Sequence, residues 1–160
     1  MGNDQKKVSI RSVTEKDKYL LLEWANEQFL SGTKMKTKHL ISEEEHNNWF
    51  HRMQINRNTT QWIVKYKNIS VGQIRFTEKK LNYEVDIFII KDYRNNNIAS
   101  FTLDLSLDKL FSIKKVKKNI LARVKHDNKA SLKFFTKFGF ALSKYDKDTV
   151  ELIYDCVGAG

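Results

Sequence analysis

Val85-Asp86-Ile87-Phe88-Ile89-Ile90 leads into Tyr93-Arg94-Asn95-Asn96-Asn97-Ile98-Ala99, and a helical pattern then runs to Phe111. This stretch, which begins at Tyr83, decides the fold. Its first piece reads as an apolar strand, its second as a polar turn, and its third as a helix. A short turn that opens directly into a helix presents unpaired backbone N–H groups and the positive end of the helix dipole, an arrangement that suits phosphate. Asn tolerates the left-handed backbone such a turn needs, at some cost relative to Gly. On these residues alone an anion cradle and a plain solvated connection are equally good readings.

Outward from this stretch, 160 residues with 41% hydrophobic and 12% aromatic content suffice for one domain with a hydrophobic core, spanning residues 1–160 with its core at about 8–155. No 18-residue apolar run occurs, which argues against a membrane span, and no membrane partner is expected. Residues 1–7 lack the apolar core of a signal peptide, and a cytoplasmic location is expected. Cys156 is the single cysteine, so neither an intramolecular disulfide nor a cysteine-based metal site can form, and no metal is expected. A net charge of +10 favours polyanionic partners without choosing among nucleic acid, a nucleotide cofactor and a nucleotide-activated sugar. The densest cluster, Lys114-Lys115-Val116-Lys117-Lys118, follows the helix, where cations suit the negative end of its dipole.

Periodicity supplies the remaining elements. Val8 to Arg11 is a strand, and Thr14 with Asp17 three residues later caps a helix from about Glu15 to Leu30. Ser31 to Leu40 reads as a surface loop. Ser42-Glu43-Glu44-Glu45 is a capping box, after which His46, Trp49, Phe50 and Met53 share one helical face. Strands follow at Gln61 to Tyr66, Ser70 to Thr77 and Tyr83 to Ile90, joined closely enough for antiparallel hairpins. In the next helix Asp104, Asp108 and Ser112 mark a narrow solvent face, with Phe101, Leu103, Leu105, Leu107, Leu110 and Phe111 covering the rest. Asn119 to Val124 is a strand, Asn128 to Phe138 a helix stopped by Gly139, and Phe140 to Tyr145 with Thr149 to Tyr154 a closing hairpin. The order β-α-α-β-β-β-α-β-α-β-β predicts an α/β layering on a mixed sheet.

The second informative segment is Asn128-Lys129-Ala130-Ser131-Leu132-Lys133-Phe134-Phe135-Thr136-Lys137-Phe138-Gly139-Phe140. It resembles the closing helix of the GCN5-related N-acetyltransferase (GNAT) superfamily, where Asn begins the helix, an aromatic follows seven residues later and Lys-x-Gly-Phe ends it. The polar turn is similar to the same superfamily's pyrophosphate loop, Arg/Gln-x-x-Gly-x-Gly/Ala, with Arg94 first, Asn97 at the first Gly and Ala99 last. Both segments stand in the superfamily's order and separation. The resemblance implies a single-domain GNAT fold: a mixed, mostly antiparallel sheet with a splayed centre and helices on both faces. Two departures stand out. Asn97 replaces a Gly that lets backbone approach phosphate closely, and Phe135 stands where many members carry a Tyr that protonates the departing thiolate.

The resemblance implies acetyl-CoA as cosubstrate. Its pantetheine arm would lie along Phe88, Ile89 and Ile90, and its pyrophosphate on N–H groups of Arg94, Asn95, Asn96, Asn97, Ile98 and Ala99, with Asn128, Phe135 and Lys137 completing the cofactor side. Only one side chain of that loop is cationic, so backbone dipoles must supply most of the phosphate stabilisation. Acetyl transfer to an amine needs a neutral nucleophile and hence a proton acceptor. Glu84 is the catalytic candidate, near the start of the strand feeding the cradle, with Asp86 on its face. Both carboxylates could equally just balance nearby Lys and Arg. Phe135 cannot donate a proton, which leaves water, Tyr145 or Tyr93 for the thiolate.

Segments around Glu23-Trp24, Glu44 to Phe50 and Val71 to Phe76 resemble members that acetylate nucleotide-linked amino sugars, so the expected reaction is acetylation of a primary amine on such an acceptor. Trp49 and Phe50 read as core, and His46 as completing its helix N-terminus rather than orienting a sugar hydroxyl. Arg75, opposite Ile74 and Phe76, could meet a phosphate or water. The alternatives are a ribosomal-protein-type N-terminal acetyltransferase and a non-catalytic GNAT-fold module. Nucleic acid is disfavoured as a partner because the aromatics look inward. A monomer and a homodimer are both compatible with the sequence.

Overall fold

Local signals set the ends of the helices. In the computed structural model, which describes residues 5–31 and 39–157, the Ser42 hydroxyl accepts a hydrogen bond from the Glu45 N–H at 3.1 Å and starts α2 (Glu43–Ile55). It follows α1 (Lys18–Leu30), itself preceded by a 3-10 turn, Glu15–Asp17, whose Asp17 carboxylate accepts from the Thr14 N–H at 2.8 Å. Asn97, with φ of 62°, begins α3 (Ile98–Lys114), and Lys115, with φ of 61°, ends it. The Asn128 carboxamide oxygen accepts from the Ser131 N–H at 3.2 Å at the head of α4 (Lys129–Phe138), which Gly139 closes at φ of 127°. The surface loop expected at Ser31 to Leu40 falls mostly on residues 32–38, outside the described residues.

The strands are β1 (Val8–Ser12), β2 (Thr59–Tyr66), β3 (Ile69–Glu78), β4 (Asn82–Ile89), β5 (Asn119–Lys125), β6 (Ala141–Tyr145) and β7 (Thr149–Tyr154). They form one sheet in the order β1-β2-β3-β4-β5-β7-β6, antiparallel throughout except between β4 and β5. Lys67 and Asn68, at φ of 50° and 67°, make the two-residue β2–β3 turn, whose left-handed residues match the twist of a hairpin. The element order is the one expected from periodicity.

The parallel ladder is short. It pairs Asn82 to Val85 with Asn119 to Ala122 and stops, although β4 runs on to Ile89 against β3 and β5 to Lys125 against β7. Beyond Val85 and Ala122 the sheet therefore forks, as the resemblance implied. Close approach on the other flank of β4 holds it there: a Cβ built on Gly72 would lie 2.0 Å from the Phe88 carbonyl oxygen.

Tyr83, Val85 and Ile89 of β4 pack with Ile120 and Ala122 beneath α3 and α4, in the same cluster as Leu103, Leu110 and Phe135. The other face carries a smaller core of Leu21, Trp24, Phe50, Ile63 and Phe88 under α1 and α2. Helices thus cover both faces. One reading of α3 needs correction: Leu105 is 38% exposed, whereas Thr102 and Ser106 are fully buried. Ile98, Thr102, Ser106 and Leu110 recur every four residues along the stripe facing the sheet, and small side chains in its middle let the helix lie close.

Candidate functional site

Because β4 and β5 are parallel, the turns that follow them open on the same edge of the sheet, and α3 and α4 both begin there. A crevice outside the carboxyl ends of parallel strands is where open α/β sheets take ligands. The turn after β4 is built by its backbone. The Ile90 N–H donates to the Val71 carbonyl at 2.8 Å, the Tyr93 N–H to Ile90 at 3.0 Å and the Arg94 N–H to Lys91 at 3.2 Å. Asn95 and Asn97 then adopt left-handed φ of 65° and 62°. Residues 94–97 are exposed, while Ile98 is buried and anchors the helix start.

The first intrahelical bond of α3 runs from the Phe101 N–H to the Asn97 carbonyl at 3.0 Å. Helix geometry therefore leaves the amides of Ile98, Ala99 and Ser100 without an intrahelical acceptor, facing out of the helix end. Arg94 does not reach across them. Its Nε donates to the Ile89 carbonyl at 2.7 Å, its guanidinium lies 5.5 Å from the centre of the Phe88 ring, and it stands 4.0 Å from the Glu27 carboxylate of α1. The exposed amides and the fork together suit a long, anionic-ended group such as coenzyme A, with backbone dipoles doing most of the charge stabilisation.

Of the strand residues expected beside that group, Phe88 is buried against Trp24, ring centres 5.9 Å apart, Ile89 is buried on the opposite face and Ile90 is half-buried. Asn128 lies at the same sheet edge and caps α4. Phe135 sits two turns along α4, only 5% exposed, with its ring 4.9 Å from Phe140 and 5.0 Å from Phe134. Lys137 is exposed near the far end of that helix. Asn128 and the α3 turn are thus brought together at one edge, while Phe135 and Lys137 stand further along the sheet.

The face under α1 and α2 carries a second constellation. Glu84 and Asp86 both lie on it, and each has an arginine partner. Asp86 pairs with Arg75 of β3 at 2.9 Å, and the Arg75 guanidinium lies 5.6 Å from the Trp49 ring centre. Glu84 stands 3.9 Å from Arg123 of β5, which also binds Glu151 of β7 at 2.9 Å. Arg123 is the first β5 residue beyond the end of the parallel ladder, so its side chain reaches back across the mouth of the fork. Gln73 is buried on the same face and accepts from Gln61 at 3.0 Å.

Arg123 and Glu151 escaped the sequence reading, because their approach to Glu84 depends on the register of three strands distant in sequence. Their alternation with Ala122, Val124, Val150 and Leu152, all buried on the opposite face, was the available signal. His46 proves to be neither a helix cap nor a free hydrogen-bonding group. It is buried, and its Nε2 bonds the Lys18 carbonyl at 2.6 Å, tying α2 to α1. Trp49 is half-buried, with its ring stacked 5.4 Å from His46. Tyr145 hydrogen-bonds His126 at 3.2 Å on the outer strand β6, and Tyr93 packs edge-on to Tyr66 at 6.0 Å. Among the described residues no group of His, Cys, Asp or Glu is placed to hold a metal, and no helix is long and apolar enough to cross a membrane.

Comparison with known proteins fits this geometry. The profile of the Acetyltransferase (GNAT) domain matches residues 7–141. A search of curated protein sequences returned no match. Among solved structures, a domain from Methanocaldococcus jannaschii is 25% identical, with a TM-score of 0.76 over 92% of this chain and 99% of that one. Spermidine N-acetyltransferase from Vibrio cholerae, in complex with CoA and spermine, is 13% identical, with a TM-score of 0.79 over 93% and 95%. RimL, a ribosomal L7/L12 alpha-N-protein acetyltransferase in complex with coenzyme A, is 13% identical, with a TM-score of 0.76 over 92% and 93%.

Proposed function

The chain belongs to the GNAT acetyltransferase family, whose members are acetyl-CoA-dependent N-acetyltransferases, and on that premise we propose that its acceptor is a primary amine on a nucleotide-linked amino sugar. The observation that carries this reading is the pair of arginines, Arg75 and Arg123, flanking Glu84 and Asp86 on the face under α1 and α2. Both guanidiniums remain partly exposed, and a diphosphate would share them with the carboxylates they already meet. The net charge of +10 attracts an anionic acceptor and opposes a free polyamine.

Acetyl-CoA supplies an activated acyl carbon, and this chain's residues orient it and manage protons. Pyrophosphate would rest on the turn at Asn95 to Asn97 and the free amides of Ile98, Ala99 and Ser100, the Arg94 amide being taken by the Lys91 carbonyl, and the arm would enter the fork along Phe88 to Ile90. Glu84, held by Arg123, takes a proton from the acceptor ammonium directly or through one water. The freed amine attacks the thioester carbon, the carbon–sulfur bond breaks, the nitrogen gives its second proton to water as the neutral amide forms, and the thiolate takes a proton from solvent, since Phe135 has none to give. Glu84→Gln lowers turnover and leaves acetyl-CoA affinity intact. A wild-type rate for that variant between about pH 6 and 9 removes Glu84 from the mechanism.

A second reading has its own support. A cavity of about 350 Å³ beside Arg94 is lined by Glu23, Glu27 and Asp92 together with Trp24 and Lys91, which suits a cationic amine. Thiol release from acetyl-CoA, measured against amino-sugar nucleotides, the same sugars without the nucleotide, spermidine and an N-terminal peptide, separates the two. The nucleotide reading requires that Arg75→Gln raise KM for the nucleotide-linked sugar but not for the free sugar. Turnover of spermidine or peptide in preference to every sugar overturns it.

A further inference from the structure

The end of the sheet opposite the fork gathers the basic residues of three separate loops. The Lys118 ammonium donates to the Lys79 carbonyl at 2.8 Å, and the Lys114 ammonium to the Arg57 carbonyl at 3.1 Å. Both lysines also pair with Glu78, at 3.3 and 3.6 Å, and Glu78 is the one carboxylate in these segments. One acid thus serves two cations. Lys79, Lys80, Lys115 and Lys117 make no ion pair among the described residues and stand exposed around it. The cluster was legible in sequence as a helix end with matching charge, but that accounts for Lys114 and Lys115 only. The β3–β4 turn contributes Lys79 and Lys80 from elsewhere in the chain.

Aliphatic side chains project among these lysines: Leu81 is 80% exposed, Val116 56% and Ile113 54%. Leu81 lies in the β3–β4 turn and Val116 in the loop after α3, while Ile113 belongs to the last turn of α3. Large aliphatics at loop tips inside a ring of lysine suit the boundary of an anionic bilayer, where apolar groups enter the acyl region and ammonium groups meet headgroup phosphate. Single-stranded nucleic acid would call for exposed rings on which bases stack, and a duplex, held by its phosphates alone, would leave the exposed aliphatics without a role. The rings at this end are already covered, since Lys117 lies 5.9 Å from the Phe111 ring centre and Lys118 5.6 Å from that of Tyr83.

We propose that this end of the sheet is a docking surface for an anionic lipid bilayer, with Leu81 and Val116 entering the interface and the surrounding lysines meeting headgroup phosphates. The geometry leaves the crevice after β4 and β5 pointing away from the bilayer, so docking and coenzyme binding are compatible. Attachment is peripheral and reversible.

The test is co-sedimentation of the full chain with vesicles of equal parts phosphatidylglycerol and phosphatidylcholine, against phosphatidylcholine alone, at about 0.1 M salt. Binding to the first and not the second is expected. The combined change Lys79→Gln, Lys80→Gln, Lys115→Gln, Lys117→Gln should weaken it by about a hundredfold or more. Leu81→Asn with Val116→Asn, which leaves the charge unchanged, should weaken vesicle binding by about tenfold or more. Acetyl-CoA affinity of both variants should match the wild type, which certifies their folding. Absence of wild-type binding to the anionic vesicles overturns the proposal. So does retention of vesicle binding by the Leu81→Asn, Val116→Asn variant, or displacement of the protein from vesicles by equimolar double-stranded DNA.

Discussion

Replacing Gly72 by alanine tests the account of the fork most directly, because the fork depends on how closely β3 holds β4. An added Cβ would sit 2.0 Å from the Phe88 carbonyl oxygen and 3.0 Å from the Ile89 Cα, both backbone-defined, so no rotamer change relieves it. Ordinary contact begins near 3.4 Å, and the end of β4 must therefore shift by about 1 Å or more. That shift breaks or stretches the bond from the Ile90 N–H to the Val71 carbonyl, a loss of about 1 kcal/mol. It also displaces Phe88 and Ile89 from the two cores they fill, at about 1–3 kcal/mol. A total of about 2–4 kcal/mol lowers Tm by roughly 5–15 °C for a chain of this size. The same movement disturbs the strand proposed to carry the pantetheine arm, so acetyl-CoA affinity should fall with it. Thermal denaturation followed by circular dichroism, alongside calorimetric titration with acetyl-CoA, reads both effects. An alanine variant with wild-type Tm and affinity would show that β3 and β4 do not approach so closely at Gly72.

Asn97→Gly relieves a left-handed residue at φ of 62° and should hold or tighten acetyl-CoA binding while raising stability by up to about 1 kcal/mol; a large loss of affinity in titration would show that the pyrophosphate rests elsewhere. Asn128→Ala removes the cap of α4 and should cost about 1 kcal/mol in urea denaturation, with no cost if the Ser131 amide is equally well served by water. The Arg11 guanidinium, at 2.7 and 2.8 Å, and the Thr14 amide hold the Asp17 carboxyl below the usual aspartate range. With the folded value depressed, its stabilisation is present above about pH 4, the unfolded value, and is lost as pH falls through the folded one. The Tm gap between wild type and Asp17→Asn should therefore be widest near neutrality and narrow below about pH 4; a gap independent of pH excludes the ion pair as its source.

Where local chemistry sets structure, the sequence was a good guide. Ser42 with Glu45, Asn128 with Ser131, Gly139 with Phe135, and the run of Asn residues before Ile98 each mark a boundary through groups within four residues of one another. The α3 face was harder, since hydrophobicity alone put Leu105 inward and passed over Thr102 and Ser106. What decides there is how near the helix axis comes to the sheet, a property of the partner surface. The carboxylate–arginine set around Glu84 was only half legible for a related reason. Glu84 and Asp86 are two residues apart on one strand, but Arg123 and Glu151 reach them through the register of β4 against β5 and β5 against β7. Arg94 shows the limit of a motif read by position: its backbone stands where the resemblance places the start of a phosphate loop, while its side chain braces the strand end toward Glu27.

The short ladder between β4 and β5 makes the molecule two leaves hinged along four residue pairs, β1 to β4 on one side and β5, β7 and β6 on the other. A ligand lying in the fork touches both leaves and so acts as a stitch, supplying lateral contacts that the sheet lacks on its own. Binding and cohesion are then one process: amide hydrogen exchange at Ile120 to Ala122, inside the hinge and away from the turn after β4, should slow when coenzyme A is present.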